Sequence, residues 1–391
     1  MSAVSGRDAE RLGAVVIGTG FISGLHIDAL RRIGVPLRGV LPRDVRSARA
    51  SGRYRQVYDD LDAVCQDGTV DVVHVTSPNY LHASQVQQLL AAGKHVVCEK
   101  PLALEAEAGE AMLAAARTAG VVHAICFNVR FNPVLHHARS MIASGDLGVP
   151  RLISGSYLQD WLLLDTDWNW RVDPEASGRL RAVADIGSHW LDLAAFLTGA
   201  RVSEVFADLH TFVPVRQRPV GPVETFTAHT VTPADREDFQ VGTEDAAGIL
   251  LRFDNGARGV LTVSQVSPGR KNSCRLEVAG STSGLAWDSE EPDRLWVGHR
   301  GALNEVLLRD PAIMSADAGR VSHYPAGHPE GFAESFLGLV ESVYAAVLEG
   351  GPRDDGSYPT FADGVEGLRL EEAVLASHDS GRWAPVRRHT R

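Results

Sequence analysis

A glycine-rich turn near the start of the chain has the residue types that bind the phosphates of a dinucleotide. It reads G-T-G-F-I-S over residues 18–23 and lies between an apolar run and a segment with helical spacing. Gly18 permits a tight turn, Gly20 lets the backbone approach a pyrophosphate, and Ser23 is small enough for the helix to pack on the strand. Backbone N–H groups at the helix N-terminus then face the phosphate charge. We therefore predict that the phosphates lie over Gly18, Gly20, Phe21 and Ile22.

The second apolar run is Leu37–Leu41. In dinucleotide-binding domains, the residues that follow the second strand select between NAD and NADP. An acidic residue at this point binds the adenosine ribose and favours NAD. Here the run continues with Pro42, Arg43 and Asp44. Arg43 could face a 2′-phosphate, Asp44 could reach the ribose, and both residues also suit a solvated turn. The sequence predicts NAD or NADP, with Arg43 as a candidate ligand.

A tryptophan-rich segment at residues 160–171 is a candidate wall for a saccharide, because sugar C–H faces stack on aromatic rings. Packing of the same rings in the sheet or in a subunit interface is equally compatible with the sequence. Basic residues nearby could bind an anionic group, or serve a structural role. The candidate substrate residues are Asn128, Arg130, Trp161, Trp168, Trp170, Arg171 and Lys271.

Strands alternate with helices in the first third of the chain, which predicts an α/β fold with a doubly wound parallel sheet. The predicted strands are Ala14–Ile17, Leu37–Leu41, Asp71–Thr76, His95–Cys98 and Val121–Phe127. Beyond residue 148 the chain becomes strand-rich, which predicts an α+β domain with an open, largely antiparallel sheet flanked by helices. The predicted boundaries are a tail at 1–11, a Rossmann domain at 12–148, a substrate and oligomerisation domain at 149–380 and a tail at 381–391. The helix at 361–380 is expected to pack back on the first domain.

The length of 391 residues exceeds one typical hydrophobic core, which favours two domains. A net charge of −11 argues against a nucleic-acid partner, since phosphate backbones require clustered Lys and Arg. No apolar run approaches the length of a membrane span, and no signal peptide is evident, so we expect a cytoplasmic protein without a membrane partner. The histidines and four cysteines lack ligand spacing, and we predict no metal.

Four motifs together resemble the Gfo/Idh/MocA family, which includes glucose–fructose oxidoreductase and inositol dehydrogenase. Besides the glycine turn they are T-S-P-N-Y-L-H at 76–82 with G-K-H-V at 93–96, E-K-P at 99–101 and D-I-G-S-H at 185–189. They occur in order and span residues 15 to 189. The resemblance implies a Rossmann domain followed by an open-sheet domain. It adds Ser77, Pro78, Asn79, His82, Glu99 and Lys100 to the candidate cofactor residues.

The resemblance also implies a catalytic set of Lys100, Asp185 and His189. Oxidation of an alcohol removes a proton from oxygen while hydride leaves carbon. An ammonium such as that of Lys100 can stabilise negative charge on the reacting oxygen. An imidazole such as that of His189 can take and return a proton near neutral pH. Asp185 could orient the imidazole or bind a neighbouring hydroxyl group.

The motifs and the resemblance together predict an NAD(P)-dependent oxidoreductase acting on a hydroxyl carbon of a sugar, sugar derivative or cyclitol. One alternative is an NAD-dependent glycosidase that uses transient C3 oxidation, elimination, water addition and re-reduction, with an anionic glycoside among its possible substrates. Another is a non-catalytic ligand sensor, although such a protein need not keep Lys100, Asp185 and His189. The apolar strands of the second domain and the resemblance predict a homodimer or homotetramer.

Overall fold

The computed structural model describes residues 9–220, 235–353 and 355–387. The chain divides into two compact units. Among described residues, the first contains 9–128 and 336–368 (except 354), and the second contains 129–220, 235–335 and 369–387. The domain boundary proposed at residues 148–149 stays a prediction; the units themselves divide after Asn128.

The first unit is built on a five-stranded parallel sheet with the order β2-β1-β3-β4-β5. The strands are β1 (Ala14–Ile17), β2 (Leu37–Leu41), β3 (Val72–Val75), β4 (His95–Cys98) and β5 (His123–Ile125). Every residue of β1 and β3 is buried, as expected for strands covered on both faces. The predicted doubly wound sheet is confirmed, and all five expected strands are present.

Helices separate these strands in sequence. They are α1 (Phe21–Ile33), α2 (Val45–Ala50), α3 (Leu61–Gln66), α4 (His82–Ala91) and α5 (Ala106–Ala119). In the sequence, the Ala-rich pattern of residues 102–119 predicts a helix that begins at Leu102, but α5 begins four residues later. Leu102 and Ala103 are buried in the apolar core of this unit without being helical, and their burial accounts for the misleading pattern.

The second unit is built on a nine-stranded sheet with the order β15-β14-β13-β12-β6-β11-β10-β7-β16. All neighbours are antiparallel except β6 and β11, which confirms the largely antiparallel sheet. The strands are β6 (Leu152–Leu158), β7 (Val202–His210), β10 (Ala246–Phe253), β11 (Arg258–Ser264), β12 (Ser273–Ala279), β13 (Ser283–Asp288), β14 (Arg294–His299), β15 (Glu305–Leu308) and β16 (Ala384–Pro385). Strands β8 (Val215–Pro219) and β9 (Arg236–Gln240) form a separate antiparallel pair.

The remaining helices are α6 (Pro133–Ser144), α7 (Pro174–Ser177), α8 (Ser188–Thr198), α9 (Ala316–Arg320), α10 (Phe332–Leu348) and α11 (Phe361–Ser380). The sequence D-N-G at 254–256 predicts a hairpin, and in the structure it joins β10 to β11 with Gly256 at a φ of 90°. One face of α8 and the inner face of the nine-stranded sheet share an apolar core that includes Trp190, Ile249 and Leu261. Across the described ranges, no helix combines the length and apolar character needed to cross a membrane.

Candidate active site

The glycine-rich turn joins β1 to the start of α1. Gly18 has a φ of +103°, and a Cβ there would lie 2.6 Å from Oγ1 of Thr76, so glycine is required. A Cβ at Gly20 would meet no atom within 4 Å, which leaves this stretch of backbone open to a ligand. Ser23 lies 2.8 Å from Thr76 through their hydroxyl oxygens, and Thr76 donates to the carbonyl of Ile17. The third small residue of the turn therefore ties α1 to the end of β3.

Arg43 and Asp44, which follow β2, have different surroundings. The amide of Gly18 donates to the carbonyl of Leu41, which fixes the strand end beside the glycine turn. Asp44 caps α2 by accepting from the amide and the hydroxyl group of Ser47, and these bonds lower the pKa of its carboxyl group. Arg43 is exposed. The Asp44 carboxylate, which would have to reach a ribose, is thus already bonded to Ser47 as the cap of α2.

His82 connects the turns that follow β3 and β4. Its side chain is fully buried, with Nδ1 2.8 Å from the carbonyl oxygen of Pro101 and Nε2 2.9 Å from that of Ser77. Burial lowers the pKa of His82, and the neutral imidazole donates to one of these two carbonyls at a time. Both ring nitrogens of this predicted cofactor residue thus face the protein backbone.

The other predicted cofactor residues at these turns are fixed by hydrogen bonds or by burial. Ser77 donates its hydroxyl group to Oε1 of Gln85 at 2.6 Å, Pro78 is half-buried and Asn79 is buried. Glu99 is buried, and its Oε2 accepts the amide of Lys100 at 3.2 Å. Lys100 is half-buried and precedes Pro101 through a cis peptide bond.

In the second unit, Asp185 and His189 lie on one continuous helical segment. Asp185 is in a π-helical turn, Val183–Gly187, which leads directly into α8 at Ser188. His189 is buried in the first turn of α8, with its ring centroid 6.4 Å from that of Tyr157. The apolar spacing of residues 188–197 predicts the helix, but the sequence does not indicate the π turn, a feature that occurs frequently at functional sites.

Both oxygens of the Asp185 carboxylate accept hydrogen bonds. Nε of Arg171 donates to Oδ1 at 3.1 Å, and Nε2 of Gln265 donates to Oδ2 at 2.8 Å. The Asp185 side chain is 15% exposed, so these contacts are sheltered from water. Two fixed donors therefore orient the carboxylate. Arg171, predicted to bind substrate, is therefore a partner of the predicted catalytic aspartate.

A row of polar side chains extends from the end of β6. The Tyr157 hydroxyl group donates to Oδ1 of Asn272 at 2.9 Å, and Nε2 of Gln159 donates to the same atom at 2.8 Å. Nε1 of Trp161 then donates to Oε1 of Gln159 at 2.7 Å. Burial raises the pKa of Tyr157, which keeps its hydroxyl group protonated. Trp161 is thereby linked to the strand that carries Tyr157.

The other two tryptophans have different surroundings. Trp168 packs edge-on against Phe239 of β9, with 4.8 Å between ring centroids, and this contact matches the packing alternative. The guanidinium group of Arg171 lies 4.4 Å from the ring centroid of Trp170. Trp170 therefore joins the group around Asp185, whereas Trp168 supports the β8–β9 pair.

The remaining predicted substrate residues form ion pairs within the protein or are buried. Arg130 is buried and forms a bidentate ion pair with Asp192. Lys271 is exposed, and its Nζ lies 2.7 Å from Oδ2 of Asp160. Asn128 is buried at the end of the first unit. Arg130 and Lys271 are therefore each paired with an aspartate.

Sequence reasoning missed Gln265, Tyr157 and Asn272. Gln265 immediately follows the apolar strand β11, and Asn272 immediately precedes β12. Polar residues at the ends of apolar strands were the available signal. Their pairing across the sheet depends on register, which local sequence does not show.

Comparison with known proteins accounts for both units. A family described as "Oxidoreductase family, NAD-binding Rossmann fold" matches residues 12–127, and one described as "GFO/IDH/MocA C-terminal domain" matches residues 135–286. The chain belongs to the Gfo/Idh/MocA family. Its N-terminal part is thus an NAD-binding Rossmann fold, and the resemblance noted in the sequence is confirmed.

Several relatives of this Gfo/Idh/MocA protein have known activities or structures. Levoglucosan dehydrogenase from Pseudarthrobacter phenanthrenivorans is 28% identical over 96% of this chain and 98% of its own. Myo-inositol 2-dehydrogenase from Thermotoga maritima is 27% identical over 70% of this chain and 74% of its own. An oxidoreductase domain protein from Kribbella flavida has a crystal structure with a TM-score of 0.85, 31% identity and coverage of 97% and 100%. A structure of levoglucosan dehydrogenase with NADH and levoglucosan has a TM-score of 0.85, 26% identity and coverage of 96% and 100%.

The residues of the glycine turn fit the dinucleotide that this Gfo/Idh/MocA domain binds. The open space above Gly20 admits a phosphate, and α1 begins there with no side-chain cap on its amide groups. A helix of 13 residues presents these amides and its positive dipole end to an anion. Backbone from Gly18 to Ile22 would hold the pyrophosphate. When bound, NAD supplies a hydride acceptor.

Proposed function

We propose that this protein is an NAD-dependent dehydrogenase that oxidises a hydroxyl carbon of a sugar, a sugar derivative or a cyclitol. The observation that carries the proposal is the Asp185 carboxylate, fixed by Arg171 and Gln265 in a π turn that leads to His189. This arrangement follows an NAD-binding Rossmann domain in the same chain. The relatives named above include a sugar dehydrogenase and a cyclitol dehydrogenase, which supports this substrate class.

The reaction assigns one task to each of three side chains. His189 takes the proton from the substrate hydroxyl group while hydride leaves the carbon. Asp185, held by two donors, stabilises the imidazolium that results or binds an adjacent hydroxyl group. Lys100 donates a hydrogen bond to the reacting oxygen and stabilises its developing negative charge.

Two features favour a neutral polyol over an anionic substrate. Arg130 is paired with Asp192 in the buried interior of the second unit, and the half-buried Arg171 is paired with Asp185. The polar groups at the end of β6, by contrast, are amides, a phenol and an indole N–H, which suit hydroxyl groups. Glycoside cleavage is not needed to account for these residues, since the levoglucosan and myo-inositol relatives named above are dehydrogenases.

A substrate screen tests the proposal directly. Levoglucosan, inositols, free aldoses and aryl glycosides would be incubated with NAD or NADP, with absorbance followed at 340 nm and products identified by mass spectrometry. We expect NADH formation equal to the ketone formed with at least one sugar or cyclitol. Glycoside cleavage without net reduction would support the glycosidase instead, and ligand binding with no turnover would support the sensor.

We propose in addition that the protein is a homodimer or homotetramer, and that it works in the cytoplasm. Support for assembly comes from the nine-stranded sheet, whose outer face carries exposed Leu250, Val260 and Trp296. Exposed apolar side chains on the open face of a sheet are typical of an interface between subunits.

A further inference from the structure

The first unit contains a chain of buried polar side chains that the proposed reaction does not use. It consists of Tyr344 on α10, His74 on β3, His26 on α1 and Glu99 after β4. Tyr344, His74 and His26 are fully buried, and Glu99 is 8% exposed. Burying such groups is unfavourable unless hydrogen bonds compensate, so each should have a partner.

The four side chains are connected end to end. The Tyr344 hydroxyl oxygen lies 2.9 Å from Nε2 of His74, and Nδ1 of His74 lies 2.7 Å from Nδ1 of His26. Nε2 of His26 lies 3.2 Å from Oε1 of Glu99. The other oxygen of Glu99 accepts the amide of Lys100 at 3.2 Å. The chain therefore runs from α10 to the backbone of the predicted catalytic lysine.

The protonation pattern of this chain follows from its geometry. Burial lowers the pKa of His74 far below its ordinary value, so its neutral ring donates from one nitrogen and accepts at the other. With Nε2 of His26 donating to the Glu99 carboxylate and Nδ1 of His26 accepting, His74 donates to His26 and Tyr344 donates to His74. The reverse direction would leave the Tyr344 proton without an acceptor among the residues that the structure describes. Every donor consequently points toward Glu99.

Glu99 also receives a hydrogen bond from the buried thiol of Cys126, whose pKa is raised by burial and then by the Glu99 charge. His26, the Lys100 amide and Cys126 are all donors, and a carboxylate that only accepts satisfies all three. The carboxylate is thus fixed from three sides. Because one donor is the Lys100 amide, fixing Glu99 also fixes the backbone that carries Lys100.

We propose that Tyr344, His74 and His26 are positioning residues for Lys100, acting through Glu99. The inference rests on the proposed function of Lys100. The three side chains set the orientation of the Glu99 carboxylate, and Glu99 holds the turn from which the lysine side chain projects. Tyr344 is 244 residues away from Lys100 in sequence, as the residue numbers show, so only the folded unit makes this connection.

A cation is the competing explanation, because possible ligand atoms of His26, Glu99 and Cys126 lie within 4.8 Å of one another. Metal binding would require a thiolate and an imidazole lone pair. The raised pKa of Cys126 opposes the first, and donation from His26 Nε2 to Glu99 occupies the second. Stoichiometric metal in the purified protein, measured by mass spectrometry, would overturn the proposal.

The first test does not depend on substrate. The chain has three lysines, Lys94, Lys100 and Lys271, so competitive acetylation with trace acetic anhydride can be quantified for each by mass spectrometry. In His26→Leu we expect Lys100 to be labelled at least threefold faster relative to exposed Lys271, because its turn loses an anchor. His26→Gln keeps an amide donor and acceptor and should restore the ratio. An unchanged ratio in His26→Leu would refute the positioning role.

The second test measures turnover and NAD affinity. His26→Leu should lower kcat about tenfold or more with NAD affinity within twofold, and His26→Gln should recover most of it. Tyr344→Phe should lower kcat severalfold alone but add little in the His26→Leu background, because both act through one chain. Tyr58→Phe is the matched control, since this buried tyrosine of the same unit bonds to Asp67 instead. Additive effects, or equal effects of Leu and Gln at position 26, would contradict the proposal.

These outcomes separate the two claims. A wild-type protein that binds NAD but oxidises no sugar or cyclitol would refute the proposed function, while the labelling ratio still reports on the turn. An active wild type with an unaffected His26→Leu variant would instead refute only the positioning role.

Discussion

The predicted catalytic residues differ in what the structure shows around each. Asp185 is bonded on both oxygens, which fixes its orientation before substrate binds. His189 follows it on the same helical segment, and Lys100 follows a buried parallel strand. Preorganised groups of this kind act without reorganisation during the reaction.

Replacement of these residues should affect turnover far more than cofactor binding. Lys100→Ala and His189→Ala should each reduce kcat about a hundredfold or more, the scale of lost acid–base or oxyanion stabilisation. Asp185→Asn should also lower kcat, because it removes the charge that supports the imidazolium. Steady-state kinetics and NAD titration would measure both effects.

His299→Ala is a suitable control, since His299 on β14 pairs with Glu305 on the neighbouring β15, away from the predicted catalytic residues in sequence. Near-normal turnover of Lys100→Ala or His189→Ala with the true substrate would show that the site assignment is wrong while the fold is right.

Arg43 is expected to decide how well NADP is accepted. Asp44 is occupied as the cap of α2, which leaves the exposed Arg43 as the charge available at the end of β2 for a 2′-phosphate. Arg43→Ala should weaken NADP binding about fivefold or more and leave NAD within twofold. Fluorescence titration with both cofactors would measure this, with Arg46→Ala as the control. Equal losses for NAD and NADP would contradict the assignment.

At the scale of elements, the short segment before β10 organises two parts of the second unit. Glu244 is buried and accepts the backbone amides of Arg181 and Val183, at the start of the π turn. The neighbouring Asp245 pairs with the buried guanidinium groups of Arg181 and Arg216. Arg216 in turn donates to carbonyl oxygens in the tryptophan-rich segment, at Leu162, Leu164 and Asp167.

Removal of the Glu244 carboxylate should destabilise the π turn. Glu244→Ala leaves two buried amides without acceptors, at about 1–3 kcal/mol for each unsatisfied group. Glu244→Gln keeps one oxygen near both amides and should cost less. Thermal and urea unfolding would measure the difference, with exposed Glu237→Gln as the control. Equal stability of the Ala and Gln variants would argue against this role.

The same residue predicts a pH dependence of stability. Burial, partly offset by the bonds from Val183 and Arg181, raises the pKa of Glu244 from 4.5 to about 6. A folded-state pKa above the unfolded value means that the contribution is fully present below pH 4.5 and is lost as pH rises through 6. Wild type should therefore lose about 2 kcal/mol relative to Glu244→Gln between pH 4.5 and 7. A pH-independent difference between the two would contradict the shift.

At the scale of the whole molecule, the outer face of the nine-stranded sheet is the main feature left for assembly. Leu250 of β10 pairs in register with Val260 of β11, and Trp296 of β14 pairs with Val306 of β15. The exposed fractions are 43% for Leu250, 42% for Val260, 36% for Trp296 and 56% for Val306. The solvent-facing side of the sheet therefore carries two pairs of exposed apolar side chains. A symmetric partner would cover them.

Charges on this side of the sheet should therefore break the assembly. The double variant Leu250→Lys and Val260→Lys should sediment as a smaller species than wild type at micromolar concentration, with its circular dichroism spectrum unchanged. Leu303→Lys is the control, because this residue is 89% exposed in the loop between β14 and β15. A wild-type protein that is already monomeric would contradict the proposed assembly.

Local sequence determined the parts of this protein that depend on neighbouring residues. The glycine turn requires a strand before it and a helix after it, and all three lie within residues 14–33. Alternating apolar runs and helices predicted the five parallel strands, and the D-N-G turn predicted the β10–β11 hairpin. The ordered motifs indicated the family, and so the cofactor class and the type of reaction.

Tertiary structure decided the contacts between residues far apart in the chain. Glu244 accepts an amide at the start of the π turn that contains Asp185. Arg171 and Gln265 orient the Asp185 carboxylate. The surroundings of Glu99 are formed by His26, His74 and Tyr344. Apart from Arg171, which the sequence analysis assigned to substrate binding, each of these partners is a polar residue that looks solvated or incidental when only its neighbours in sequence are considered. Strand register and helix packing bring them together, and burial then makes their hydrogen bonds obligatory. For this reason the elements could be predicted from sequence, whereas the supports of the predicted catalytic residues could not.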